Sequence, residues 1–194
     1  MKIILAKNAG FCFGVRRAVE LTEQTAAKVA ESGGAAKVFT FGELIHNRDV
    51  VNRLREAGIA PIESLDEAQR GDYVIIRSHG VPKKIYEELE TRGINFIDAT
   101  CPFVSNIHRI VSAAYERGEQ VFIVGNPEHP ETIGINGHCG NSAIFIRGEE
   151  ELRKLEGRSG CLVVQTTFDS ETFAATQRVI EREYPRIRVF NSIC

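Results

Sequence analysis

VFTFGELIH, Val38 to His46, and VFIVGNPEH, Val121 to His129, are two copies of one pattern, V-F-x-x-G-x-x-x-H, set 83 positions apart. Each copy reads as a buried strand of apolar and β-branched residues that ends at a glycine, where the backbone turns, and then delivers a histidine from a loop. A weaker match relates YVIIRSH, Tyr73 to His79, to CLVVQTT, Cys161 to Thr167, 88 positions on. Three cysteines keep nearly the same interval. Cys12, Cys101 and Cys194 are 89 and 93 residues apart, each at the end of a short apolar run. Self-similarity at a fixed interval signals repeated structural units. Each unit here reads as a cysteine, a glycine-histidine loop and a polar strand end.

Around these repeats, apolar runs of strand length alternate with amphipathic stretches, the order that gives parallel sheets flanked by helices, so the fold class is α/β. Strands are expected at Ile3 to Ala6, Val38 to Phe41, Tyr73 to Arg77, Asn95 to Asp98, Val121 to Val124, Ala143 to Ile146, Leu162 to Gln165 and Arg188 to Phe190. Helices are expected at Gly14 to Glu31, Arg48 to Ala57, Lys83 to Arg92, Pro102 to Arg117 and Ser170 to Tyr184, with Pro82 and Pro102 suited to first turns. The repeat divides the chain into a lobe over 1–100, with Cys12, His46 and His79, and a lobe over 101–194, with Cys101, His129, Glu131 and Thr166. Cys194 begins a third repeat, expected to be absent or supplied by another polypeptide.

A chain of 194 residues with 43% hydrophobic content buries a real core without metal or disulfide staples. The net charge of −2, from 24 basic and 26 acidic residues, leaves no electrostatic footprint for nucleic acid or an anionic membrane. Small molecules or proteins are the expected partners. The opening apolar run is shorter than the ~7–15 residues of a signal-peptide core, and no stretch approaches the roughly 20 of a membrane span, so a cytoplasmic location is expected. Five cysteines, an odd number without any Cys-x-x-Cys, fit reduced thiols and disfavour a zinc finger or a thioredoxin-type motif.

Open α/β sheets place ligands beyond the carboxyl ends of their strands. Cys12, His46 and His79 obey that rule in the first lobe; Cys101, His129, Glu131, Thr166 and Thr167 obey it in the second. Soft thiolates gathered this way select iron-sulfur or zinc. Three cysteines leave one iron of a 4Fe-4S cluster without a protein thiolate, free to act as a Lewis acid. The histidines suit an anionic substrate such as a diphosphate. Glu131 suits a proton donor if burial raises its pKa, with Gln165, Thr166 and Thr167 ordering the proton path. Cys139 and Cys161 read as small core hydrophobes, His108 as a packing or solvated helical residue, and Glu149 to Arg158 as a solvated helical face. This scheme requires Cys12 and Cys101 to share one side of the fold.

Together AGFCFGV, ELIHNRDVV, RSHGV, DATCP, EHPET, QTT and the final Cys194 resemble the LytB (IspH) family of 4-hydroxy-3-methylbut-2-enyl diphosphate reductases, over the whole chain. The resemblance implies a pseudo-threefold trefoil of α/β lobes around a 4Fe-4S cluster and the last step of non-mevalonate isoprenoid biosynthesis. By position it implies Cys12, Cys101 and Cys194 as cluster ligands and His46, His79 and His129 as diphosphate binders. Glu131 becomes the proton source, linked through Thr166, with His129 also in proton transfer and Gln165 and Thr167 in the same wall. It implies ferredoxin or flavodoxin as electron donor. A non-catalytic cluster-binding or redox-sensing module is the alternative, and a structural zinc protein a third.

Overall fold

Apart from residues 1, 2, 5–8 and 34, the computed structural model describes the whole chain. It divides into two compact units, Met1–Ser78 with Gly93–Cys101, and His79–Arg92 with Pro102–Cys194. Among the described residues no helix is long and apolar enough to cross a membrane.

The first unit carries α1 (Phe13–Glu31), β1 (Val38–Phe41), α2 (Arg48–Glu56), β2 (Ala60–Ile62), β3 (Tyr73–Ile76) and β4 (Asn95–Asp98). Its four strands form a parallel sheet in the order β2-β1-β3-β4. α1 presents Ala18, Val19, Thr22 and Thr25 to the core at helical spacing, and Thr22 Oγ1 donates to the Ala18 carbonyl. α2 begins where the Asn47 side chain accepts the Val50 N–H. The strand expected over Ile3 to Ala6 falls partly outside the described residues, and Ile3 and Ile4 are exposed and lie in no regular element. β2 carries no strand signal in the sequence, because its three residues include Pro61; an edge strand tolerates a residue that donates no ladder hydrogen bond.

The second unit carries α3 (Lys83–Arg92), α4 (Pro102–Glu116), β5 (Gln120–Val124), α5 (Pro130–Gly137), β6 (Ile144–Ile146), β7 (Gly160–Val164), α6 (Ser170–Glu183) and β8 (Ile187–Phe190). Its sheet is again parallel, in the order β6-β5-β7-β8. Phe122, Leu162, Phe173 and Ile180 are fully buried in one of its apolar clusters, and Ile107, Val121, Ile123 and Ile135 in another. α5 has Gly134 inside it and Gly137 as its last residue, and so has little helix propensity to show in the sequence; Pro130 in its first turn and the His129 cap start it. The acidic run resolves into a 3₁₀ helix, Glu149–Leu155, that keeps Leu152 and Leu155 inward. α3 follows β3 in the chain, yet it belongs to the second unit, where a Cβ on Gly137 of α5 would overlap Pro82 just ahead of α3.

The duplication is legible in the register. Thr40 pairs with Ile75 and Ile75 with Ile97 in the first sheet; their counterparts Ile123, Val163 and Phe190 pair the same way in the second. In each sheet the chain crosses first to one side of the founding strand and then to the other. The crevice of an open sheet therefore lies between β1 and β3, and again between β5 and β7. Close approach has a cost at Gly160, where a Cβ would overlap the Gln120 carbonyl oxygen. Gly160→Ala should destabilise the chain by about 1–3 kcal/mol, measured as a lower urea midpoint at unchanged slope.

Candidate active site and cofactor ligands

Both sheets end their founding strand at a glycine with positive φ, +68° at Gly42 and +156° at Gly125, a conformation that favours glycine. A Cβ at Gly125 would lie 2.8 Å from both Cβ and Oε1 of Gln165. That lack of a side chain lets Gln165 accept the Asn126 N–H at 3.1 Å and donate to Thr167 Oγ1 at 3.0 Å. At the matching place in the first unit Arg77 lies against Gly42, its pKa lowered by burial and partly restored by the Glu63 charge. A cavity of about 380 Å³ opens between the loops after β5 and β7, beside Gln165 and Thr167.

The ends of β3 and β7 are built alike until one substitution. Ser78 and Thr166 occupy equivalent positions. Ser78 donates its N–H and its hydroxyl to the Leu44 carbonyl, each at 3.2 Å. Thr166 donates its N–H to Glu131 Oε1 at 2.6 Å and its hydroxyl to Oε2 at 2.5 Å. A carboxylate in the second unit thus stands where a backbone carbonyl stands in the first. Glu131 is only 1% exposed and Thr166 7%. Burial raises the Glu131 pKa, and the two Thr166 hydrogen bonds pull against that rise. A carboxyl poised between these effects holds a proton more readily than a surface glutamate. It also has a hydroxyl in contact to pass that proton along.

His129 caps α5, accepting the Glu131 N–H at Nδ1 over 3.1 Å. With Nδ1 used as acceptor, a neutral ring carries its proton on Nε2. The His79 ring meets it edge to face with centroids 5.5 Å apart. The second unit therefore brings together His79, His129, Glu131 and Thr166. Cys194 joins them through the backbone, its N–H donating to the Thr166 carbonyl at 3.0 Å. Ser192, missed in the sequence, secures this last stretch by bonding both the N–H and the carbonyl of Val164.

The first unit holds Cys12, His46 and Cys101. Cys12 is the N-cap residue of α1. Cys101 lies against that helix's first turn, since a Cβ on Gly14 would be 2.6 Å from its Sγ. The two cysteines thus meet the same end of one helix. Cys101 is anchored by its N–H to the Ser78 carbonyl at 2.9 Å, the counterpart of the Cys194 bond to Thr166. His46 is exposed in the loop ahead of the Asn47 cap. Among the described residues no three His, Cys, Asp or Glu side chains are grouped closely enough to hold a metal ion.

All five cysteines are free, and burial separates them. Cys12 and Cys194 are exposed and Cys101 half-buried. Cys139 and Cys161 are fully buried in the apolar core, which raises both thiols, Cys161 to about 11. Metal ligation needs the thiolate, which burial disfavours at these two. His138 and Cys139 diverge: the ring bonds the Val81 carbonyl and the thiol the Asn136 carbonyl. His108 is packed rather than solvated, stacked on His138 at 4.0 Å, its pKa pushed down to about 3 by burial and then by the His138 charge.

The LytB protein family profile matches residues 3–194. A 4-hydroxy-3-methylbut-2-enyl diphosphate reductase of Clostridium perfringens is 45% identical over 194 residues, covering 99% of this chain and 67% of that relative. One of Alkaliphilus oremlandii is 39% identical over 195 residues, covering 100% of this chain and 68% of its own. A solved structure of (E)-4-hydroxy-3-methyl-but-2-enyl diphosphate reductase superposes with a TM-score of 0.84 at 39% identity, over 99% of this chain and 68% of that one. The reductase of Plasmodium falciparum gives 0.87 at 25% identity, over 97% and 59%. This chain spans about two thirds of the length of the curated relatives it matches. From the profile match and these identities, the chain belongs to the LytB protein family.

Proposed function

We propose that this chain carries the first two lobes of a 4-hydroxy-3-methylbut-2-enyl diphosphate reductase, with Cys12, Cys101 and Cys194 as the thiolates of a 4Fe-4S cluster. The observation that carries the reading is the buried Glu131–Thr166 pair beside His79 and His129, in a chain whose relatives bear that enzyme name. The thiolate set suits the cluster: Cys12 and Cys101 meet one end of α1, and Cys194 is tied to Thr166 by the same bond that ties Cys101 to Ser78. When bound, the cluster supplies electrons one at a time and a Lewis-acid centre.

The reaction takes an allylic alcohol, two electrons and two protons to an alkene and water. The C–O bond breaks and a C–H bond forms. One proton leaves with the hydroxyl as water; the other goes to either end of the allylic system, giving isopentenyl or dimethylallyl diphosphate. His46, His79 and His129 bind the diphosphate, with the His129 Nε2 proton as a donor to it. Protonated Glu131 donates across its 2.5 Å contact to Thr166 Oγ1, whose own hydroxyl proton passes to the substrate hydroxyl. Gln165 and Thr167 hold each other and so fix that wall. Ferredoxin or flavodoxin supplies the electrons, a third α/β lobe, in the same or another polypeptide, completes the diphosphate site, and five free thiols suit a cytoplasmic location.

The test is anaerobic turnover of the allylic diphosphate by protein reconstituted with iron and sulfide, using a low-potential donor and, where needed, the added third lobe. Formation of both olefin isomers supports the reading. Stoichiometric zinc without acid-labile sulfide, or a filled cluster with no turnover when the lobe is present, rejects it.

A further inference from the structure

We propose that Gly14 and Arg17, one turn apart on α1, are positioning residues that set the Cys101 thiol for cofactor binding. This rests on the reading of Cys101 as a cluster ligand. Gly14 is buried in the first helical turn, where a Cβ would lie 2.6 Å from Cys101 Sγ, 3.2 Å from its Cβ and 3.8 Å from its Cα. Real Cβ atoms do not approach so closely, so any other residue there moves the thiol. Glycine is a poor helix former, and this close approach supplies the reason for it.

Arg17 acts on the same cysteine through the backbone. Its Nη1 donates to the Thr100 carbonyl at 3.1 Å and its Nη2 to the Asp98 carbonyl at 3.2 Å, the connector immediately ahead of Cys101. Asp98 stiffens that connector by accepting the Thr100 N–H at 2.9 Å. The planar guanidinium fork suits two fixed carbonyls, which a lysine would reach one at a time. The duplication isolates the feature: counted from the cysteine, the second repeat has Phe103 in place of Gly14 and Asn106 in place of Arg17. Neither residue is demanded by the repeat fold. Both belong to the contact between α1 and Cys101.

The experiment compares wild type, Gly14→Ala, Arg17→Met and Arg17→Lys after anaerobic reconstitution at limiting iron and sulfide. It reads iron and acid-labile sulfide per chain, visible absorption, and the circular dichroism and thermal midpoint of the metal-free proteins. Gly14→Ala should fold with a midpoint no lower than wild type. Its cluster occupancy should fall about tenfold with a shifted spectrum, the size expected when support for a metal ligand is disturbed. Arg17→Met should lose occupancy likewise and Arg17→Lys recover part of it. A folded Gly14→Ala that fills like wild type with an unshifted spectrum overturns the proposal. Should Gly14→Ala not fold, wild-type occupancy in Arg17→Met overturns it instead. A wild-type protein that takes up no iron or sulfide overturns the proposed function, and this inference with it.

Discussion

Glu131→Gln should lower turnover by about 10²–10⁴-fold, the usual contribution of a positioned acid, while leaving the fold intact. Glutamine retains the geometry: its Oε1 accepts the Thr166 N–H and its Nε2 donates to Thr166 Oγ1, replacing the bonds now at 2.6 and 2.5 Å. What it lacks is an acidic proton to transfer. The same variant reports on the buried carboxyl. Burial raises the folded pKa of Glu131, so its contribution to stability is fully present below the unfolded carboxylate value and is lost as pH rises through the folded value. Gln has no such loss, so the thermal midpoint of Glu131→Gln should gain on wild type from about pH 4 upward. Anaerobic steady-state kinetics and a pH series of melts check both. Undiminished turnover would remove Glu131 from the proton path.

The second large effect is expected at the cysteines. Cys12→Ala and Cys101→Ala should each lower iron affinity by at least about 100-fold, the upper end of what supporting residues alone cost. Cys139→Ala and Cys161→Ala should keep their iron and instead lose stability, because both thiols are fully buried and held protonated by an apolar core. Iron and sulfide analysis beside urea denaturation separates the two classes. Iron loss in Cys161→Ala at unchanged stability would mean the ligand set is drawn wrongly.

The fold class was legible because strands buried on both faces write themselves as continuous β-branched runs, and because the chain wrote its unit twice. The pairing of Ile75 with Ile97 and of Val163 with Phe190 is the cysteine interval made physical. Three features escaped. β2 is short and contains Pro61 at a sheet edge. α5 starts from a histidine cap and carries glycines where helices seldom do. His79 follows β3 in the chain and so read as part of the first lobe, yet it packs against His129, because spatial neighbours are set by side-chain packing and not by order in the chain.

By itself the sequence determined the α/β class, the duplication and which residue types stand at strand ends, since these follow from local patterning and its recurrence. Only the tertiary structure decided what each group became. Glu131 stands where the other repeat has the Leu44 carbonyl, and burial raises its pKa against the pull of the Thr166 hydrogen bonds. Burial in the apolar core pushes the Cys161 thiol up to about 11, whereas Cys101 is half-buried against Gly14 at a helix end. Solvation and close contact fix reactivity, and both depend on residues far apart in the chain.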